Sequence, residues 1–211
     1  MKILIISASP VSSLFGKAMP FSGLQCIVES LMPTDGLTGF DCVIDLDFEN
    51  NPERIALYKK VNLPVLIGSV IHTLKELNTG TSVIARFNHW PVFISRNCIE
   101  VAVTKENQSL FHSLFNQWSI PFFETADEPG FVSARTVSMI INEAFLAKEE
   151  NVSTADEINI AMKLGTSYPF GPFEWCSMLG AESIVHLLQK LTVADQRYQP
   201  AVSLIEYKAN H

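Results

Sequence analysis

Lys2-Ile3-Leu4-Ile5-Ile6-Ser7-Ala8-Ser9-Pro10 is the stretch on which the fold reading turns. Its unbroken apolar run is too short for a secretory signal core, and Ser-Pro closes it as a loop would. A strand buried on both faces is the expected structure, as in a parallel sheet. Similar runs follow at Gln25 to Val28, Cys42 to Asp47, Pro64 to Gly68, Val83 to Phe87 and Ile99 to Thr104. Between them, Pro52 to Val61 and Val70 to Leu77 read as short helices. Glu106 to Trp118 carries Leu110, Phe111, Leu114, Phe115 and Trp118 on one helical face. Alternating strands and helices predict an α/β doubly wound sheet with right-handed crossovers.

The pattern changes after Pro121-Phe122-Phe123-Glu124, beyond which the signals are helical. Phe131 to Glu150 places Val137, Ile140, Ile141, Ala144 and Phe145 at helical spacing. Thr154-Ala155-Asp156-Glu157 is a capping-box sequence, and its helix is expected to stop at Gly165. Ala181 to Leu191 repeats the amphipathic theme. The expected domains are therefore residues 1–126, an α/β sheet, and residues 127–211, all helical. The second piece is short and its helices carry wide apolar faces, so a two-fold homodimer through it is expected.

Composition narrows the functional classes. The chain has 211 residues, 47% of them hydrophobic, enough for a sizeable core. Its 15 Lys and Arg against 22 Asp and Glu give a net charge of −7, which argues against nucleic acid or a polybasic membrane anchor. No stretch approaches the ~20 apolar residues of a membrane span. Cys26, Cys42, Cys98 and Cys176 are widely spaced and read as reduced core thiols, which points to the cytoplasm. The histidines have no partners at ligand spacing, so no metal site is expected.

A doubly wound sheet invites a nucleotide, and the first strand–helix turn is where its phosphates would sit. Here that turn reads Ser7-Ala8-Ser9-Pro10-Val11-Ser12-Ser13-Leu14-Phe15-Gly16, without GxGxxG. No acidic residue closes a clear second strand at the distance a ribose partner needs; Glu29 is the nearest.

Two segments carry a family resemblance. Pro129-Gly130-Phe131-Val132-Ser133-Ala134-Arg135 resembles the Pro-Gly-Phe-x-x-Asn-Arg segment of L-3-hydroxyacyl-CoA dehydrogenases. Ala161-Met162-Lys163-Leu164-Gly165, followed by Tyr168-Pro169-Phe170-Gly171-Pro172-Phe173-Glu174, is similar to that family's AMKLG-xx-YPxGPxE signature. Upstream, Asp41 to Asn50 resembles the D-x-V-x-E-A-x-x-E-N strand end, with Asp45 replacing the family's Glu and Glu49 kept. Arg86-Phe87-Asn88-His89-Trp90-Pro91 resembles a contracted RF-xx-HFFNP, and Ile99-Glu100-Val101 resembles LVEV. Against the family, the segment before Asp41 is short by a strand and a helix.

The resemblance implies an abbreviated Rossmann-like sheet followed by the family's helical domain. It implies oxidation of the 3-hydroxyl of an acyl-CoA with NAD as cofactor. His89 would be the base and Glu100 its orienting carboxylate. Ser69 (or Thr73) would stand in for the substrate serine, and Asp45 and Glu49 would line the cofactor. Ala134 stands where the family has an asparagine that contacts the reacting group. That loss, the missing glycine loop and the contracted histidine motif leave a second function open. It is a non-catalytic dimeric relative that binds an acyl-CoA, another small ligand or a partner protein.

Overall fold

The computed structural model describes residues 1–8, 24–33, 36–96 and 98–210. Two compact units are seen, Met1–Phe131 and Val132–His211. The division falls later than the 126/127 boundary read from sequence, because the chain from 127 to 131 is bonded into the sheet unit.

The sheet unit has seven strands: β1 (Lys2–Ile6), β2 (Gln25–Glu29), β3 (Cys42–Asp45), β4 (Val65–Gly68), β5 (Ile84–Phe87), β6 (Ile99–Val103) and β7 (Phe122–Glu124). Their order is β2-β1-β3-β4-β5-β6-β7. All neighbours run parallel except β5 and β6, which are antiparallel. The chain winds outward from β1 to β2, then crosses back to β3 on the other side of β1. The crevice between the carboxyl ends of β1 and β3 is thus the topological switch point, where this architecture binds ligands.

Side chains alternate across the sheet with the strand period. Ile3, Ile5, Ile44, Leu66 and Phe87 join one core with Phe111, Leu114, Phe115 and Trp118. Leu4, Ile6, Val43, Val65 and Ile67 join another with Phe48, Tyr58 and Leu74. The first face is covered by α3 (Gln108–Gln117), the second by α1 (Ile55–Tyr58) with the short 3-10 turns before it; α2 (Pro91–Ile94) joins β5 to β6.

Two local expectations need correction. Residues 70–77 form turns and no helix. Five of their N–H groups are taken by carboxylates, Val70 and Ile71 by Glu49, Leu74 and Lys75 by Asp127, and Thr73 by Glu76, while Leu77 alone bonds an i−4 carbonyl, that of Thr73. The strand β7 went unread because it is short, sits at an edge and follows Pro121, a position where proline is tolerated.

Arg86 fixes the end of the sheet unit. Fully buried in β5, it bonds Asp127 through Nε at 2.5 Å and donates to the carbonyls of Ser69 and Glu128. Its guanidinium also lies 4.2 Å from the Phe131 ring centroid.

The helical unit contains α4 (Ser133–Glu149), α5 (Ala155–Thr166), α6 (Pro172–Leu179), α7 (Ala181–Thr192) and α8 (Val202–Asn210). Thr154 and Glu157 form the expected capping box, each bonding the other's backbone N–H. Gly165 does not end α5; the helix runs to Thr166, and Ser167 takes the left-handed cap conformation. The long motif proves to be a helix joint. Lys163 of α5 pairs with Glu174 of α6 at 2.6 Å, and Glu174 also receives the Gly171 N–H at 2.8 Å. Asn159 accepts from Phe173 N at 3.0 Å, and a Cβ on Gly171 would come within 2.2 Å of that amide. Buried Asn142 clamps the segment before α8, donating to Gln199 O and accepting from Ala201 N.

Candidate active site

The carboxyl ends of β3, β4 and β5 present Asp45, Gly68 and the Asn88-His89-Trp90 turn along one edge of the sheet. His89 packs directly over Gly68: a Cβ there would meet its ring at 2.7 Å. The ring Nε2 lies 3.7 Å from Glu49 Oε2, and Nδ1 is buried with no hydrogen-bond partner among the described residues. Burial pushes the imidazole below its ordinary pKa of 6.5, with Glu49, then Asp47 and Asp45, pulling the other way. Burial thus favours the uncharged form of the ring beside Glu49.

Glu49 sits in the 3-10 turn Phe48–Asn50 and holds this edge together. Its Oε1 accepts from Val70 N at 2.7 Å and Ile71 N at 2.6 Å, and its Oε2 from the Trp90 indole at 3.3 Å. One side chain thus fixes the loop after β4 and the histidine turn after β5. This differs from the cofactor-lining place the resemblance implied for it.

The other expected site residues are placed as follows. Glu100 accepts from Asn88 Nδ2 at 2.8 Å. Because β5 and β6 are antiparallel, Glu100 faces the residue before the histidine. Ser69 is fully buried and donates its hydroxyl to His72 O at 2.8 Å. Thr73 is engaged in reciprocal bonds with Glu76. Asp45 is fully buried, taking 2.6 Å from Tyr58 Oη and 3.1 Å from Arg54 Nη1, and the N–H of Asp47. Burial raises its carboxyl against the pull of Tyr58 and Arg54. Ser69 and Asp45 thus each hold part of the surrounding fold.

Sequence reasoning missed Gly68, whose lack of a side chain seats the histidine, and Asn88, which links His89's turn to Glu100. A glycine closing a buried strand before a serine was the available signal.

At the switch point the first N–H after β1, that of Ser7, donates to Glu29 O at 2.9 Å, and the second, that of Ala8, donates to the Asp47 carboxylate. Glu29 ends β2 beside β1 and is exposed, so the second strand does close on an acidic residue. The expected anion turn from Ser9 to Gly16 lies outside the described residues.

Comparison with known proteins agrees with this architecture. Residues 130–209 match the family model of the 3-hydroxyacyl-CoA dehydrogenase C-terminal domain. The chain is 42% identical over 88 residues, 41% of its length, to the 3-hydroxyadipyl-CoA dehydrogenase of Escherichia coli K12. It is 35% identical over 83 residues, 38% of its length, to the 3-hydroxybutyryl-CoA dehydrogenase of Bradyrhizobium diazoefficiens. The aligned parts span only 18% and 28% of those relatives. Its fold matches a (S)-3-hydroxybutyryl-CoA dehydrogenase from Ralstonia eutropha with a TM-score of 0.77, covering 99% of this chain and 93% of that one at 17% identity. The helical unit is thus similar to the C-terminal domain of 3-hydroxyacyl-CoA dehydrogenases, and the chain as a whole shares the fold of the solved structure.

Proposed function

We propose that the protein is an oxidoreductase acting on the 3-hydroxyl of an acyl-CoA, with His89 as the proton acceptor. The observation that carries this reading is the neutral His89 at the carboxyl edge of the sheet, 3.7 Å from Glu49. With the ring proton on Nε2 toward Glu49, the lone pair lies on Nδ1, which has no hydrogen-bond partner among the described residues. The imidazolium formed is stabilised by Glu49, with a gross attraction of about 4 kcal/mol at an effective dielectric near 20. Glu100 acts one residue away, holding Asn88 and with it the turn.

The described crevice fits NAD at its ribose end, where Glu29 closes β2 beside β1 and can receive the ribose hydroxyls. Bound there, NAD would supply the hydride acceptor. The helical unit would carry a homodimer. Four free cysteines suit a reducing compartment such as the cytoplasm, and among the described residues no helix is long and apolar enough to cross a membrane.

The test is NADH oxidation with acetoacetyl-CoA, run beside an NADH-binding titration. His89→Ala should lower turnover about 100-fold or more, the usual weight of a general base, and Glu49→Gln should lower it more than Glu100→Gln. Loss of both turnover and NADH binding in the unmodified protein would refute this reading. It would leave a non-catalytic acyl-CoA or partner-binding protein.

A further inference from the structure

Trp90 follows His89 directly and is buried, with 2% of its surface exposed. It is fixed from three sides. Its backbone N–H donates to Asn88 Oδ1 at 3.3 Å, and its carbonyl accepts from Phe93 N and Ile94 N in α2. Its indole Nε1 donates to Glu49 Oε2 at 3.3 Å, the same oxygen that faces His89.

The acceptor sites of Glu49 can be counted. A carboxylate offers about four lone-pair sites, shared equally between its oxygens. Val70 N and Ile71 N fill those of Oε1, and the Trp90 indole takes one on Oε2. The remaining site faces His89 Nε2 at 3.7 Å, a separation longer than a hydrogen bond. Two donors thus compete for one oxygen. The indole holds it, and an indole N–H neither accepts a bond nor gives up its proton. Packing of the ring alone would need no N–H at this oxygen.

We infer that Trp90 is a positioning residue: its indole N–H keeps the Glu49 oxygen from closing on the His89 ring, so that the charged ring keeps both its protons instead of passing one to Glu49. Glu49 then acts on the ring as a nearby charge, with Asp47 and Asp45 pulling more weakly in the same direction. This rests on the reading of His89 as the proton acceptor and adds the group that sets its pairing with Glu49.

NMR titration of the full chain, without substrate or NAD, tests it. The chain has three tryptophans, and the indole signal lost in Trp90→Phe should move with pH along the His89 titration curve. It should stand still in His89→Gln. The Trp118 indole, which donates to Met1 Sδ, should not follow the histidine. In Trp90→Phe the oxygen is released toward the ring, and His89 should keep its charge to a higher pH, by about 0.5 or more. In a Glu49→Gln background the same substitution should leave the His89 titration in place. Where turnover is found, the acidic limb of its pH profile should move to higher pH with the histidine.

An unmoved His89 titration in Trp90→Phe, or an equal move with and without Glu49, overturns the assignment and leaves Trp90 a packing residue. If circular dichroism shows Trp90→Phe unfolded, the indole signals of the unmodified protein decide. Three signals that all ignore His89→Gln overturn the assignment, and one that loses its pH dependence there supports it. Absence of turnover and of NADH binding bears on the oxidoreductase reading alone, since these titrations need neither ligand.

Discussion

At the scale of single residues, His89 and Glu49 form a pair that sequence distance conceals. They come together because β3 and β5 end on the same edge of the sheet, with Gly68 of β4 between them. No local pattern encodes that meeting, which is why the resemblance pointed to Glu100 instead. Glu100 is close in sequence, yet the antiparallel β5–β6 pairing directs it to Asn88. The burial that keeps His89 neutral has a consequence for stability. A histidine whose pKa is depressed in the fold binds fewer protons when folded than when unfolded, so acid favours the unfolded chain. Stability should therefore fall as pH drops through the unfolded value near 6.5 and level off below the folded value. Urea unfolding at pH 7.5 and 5.5 checks this: the loss between the two should be smaller in His89→Gln than in the unmodified protein. An equal loss in both would show that other groups carry the acid response.

At the scale of elements, legibility followed locality. The strands β1 to β6 were readable because their apolar runs are continuous, and α4, α5 and α7 because their faces repeat every turn. Residues 70–77 were misread because their backbone donors answer to Glu49 and Asp127, which lie far away in sequence. The joint between α5 and α6 was readable as a rigid connection, and the structure ranks its parts. The Lys163–Glu174 pair is exposed to water on both sides, so solvent and salt screen it and it adds little to stability. Gly171 meets Asn159 so closely that any side chain must displace the amide that caps Phe173. Gly171→Ala should thus cost about 1–3 kcal/mol, the range for overpacking, and Lys163→Ala less than about 1 kcal/mol. Thermal unfolding of the two variants should keep that order; the reverse order would place the strength of the joint in its ion pair.

At the scale of the whole molecule, the negative charge and the acidic edge act in the same direction. A chain of net charge −7 repels anions at long range, and Glu29, Asp47 and Glu49 extend that field to the crevice. Both NADH and acyl-CoA are polyanions. Salt screens the repulsion over a Debye length of about 8 Å at 0.15 M. NADH affinity should accordingly rise between about 10 mM and 150 mM salt, measured by fluorescence titration. A marked fall would indicate a cationic phosphate site in the turn after β1 that outweighs the carboxylates.

The bond from Ala8 to Asp47 carries that thought further. A carboxylate tethered across the crevice is a resident competitor, since it already occupies a backbone donor at the carboxyl end of β1. Affinity for a dinucleotide is then the difference between two occupants of one donor, the incoming phosphate and the chain's own side chain. Asp47→Asn leaves a weaker, uncharged rival in place and should tighten NADH binding where most crevice substitutions loosen it. In this sheet, the selectivity that glycines confer elsewhere would be set by how readily one aspartate lets go.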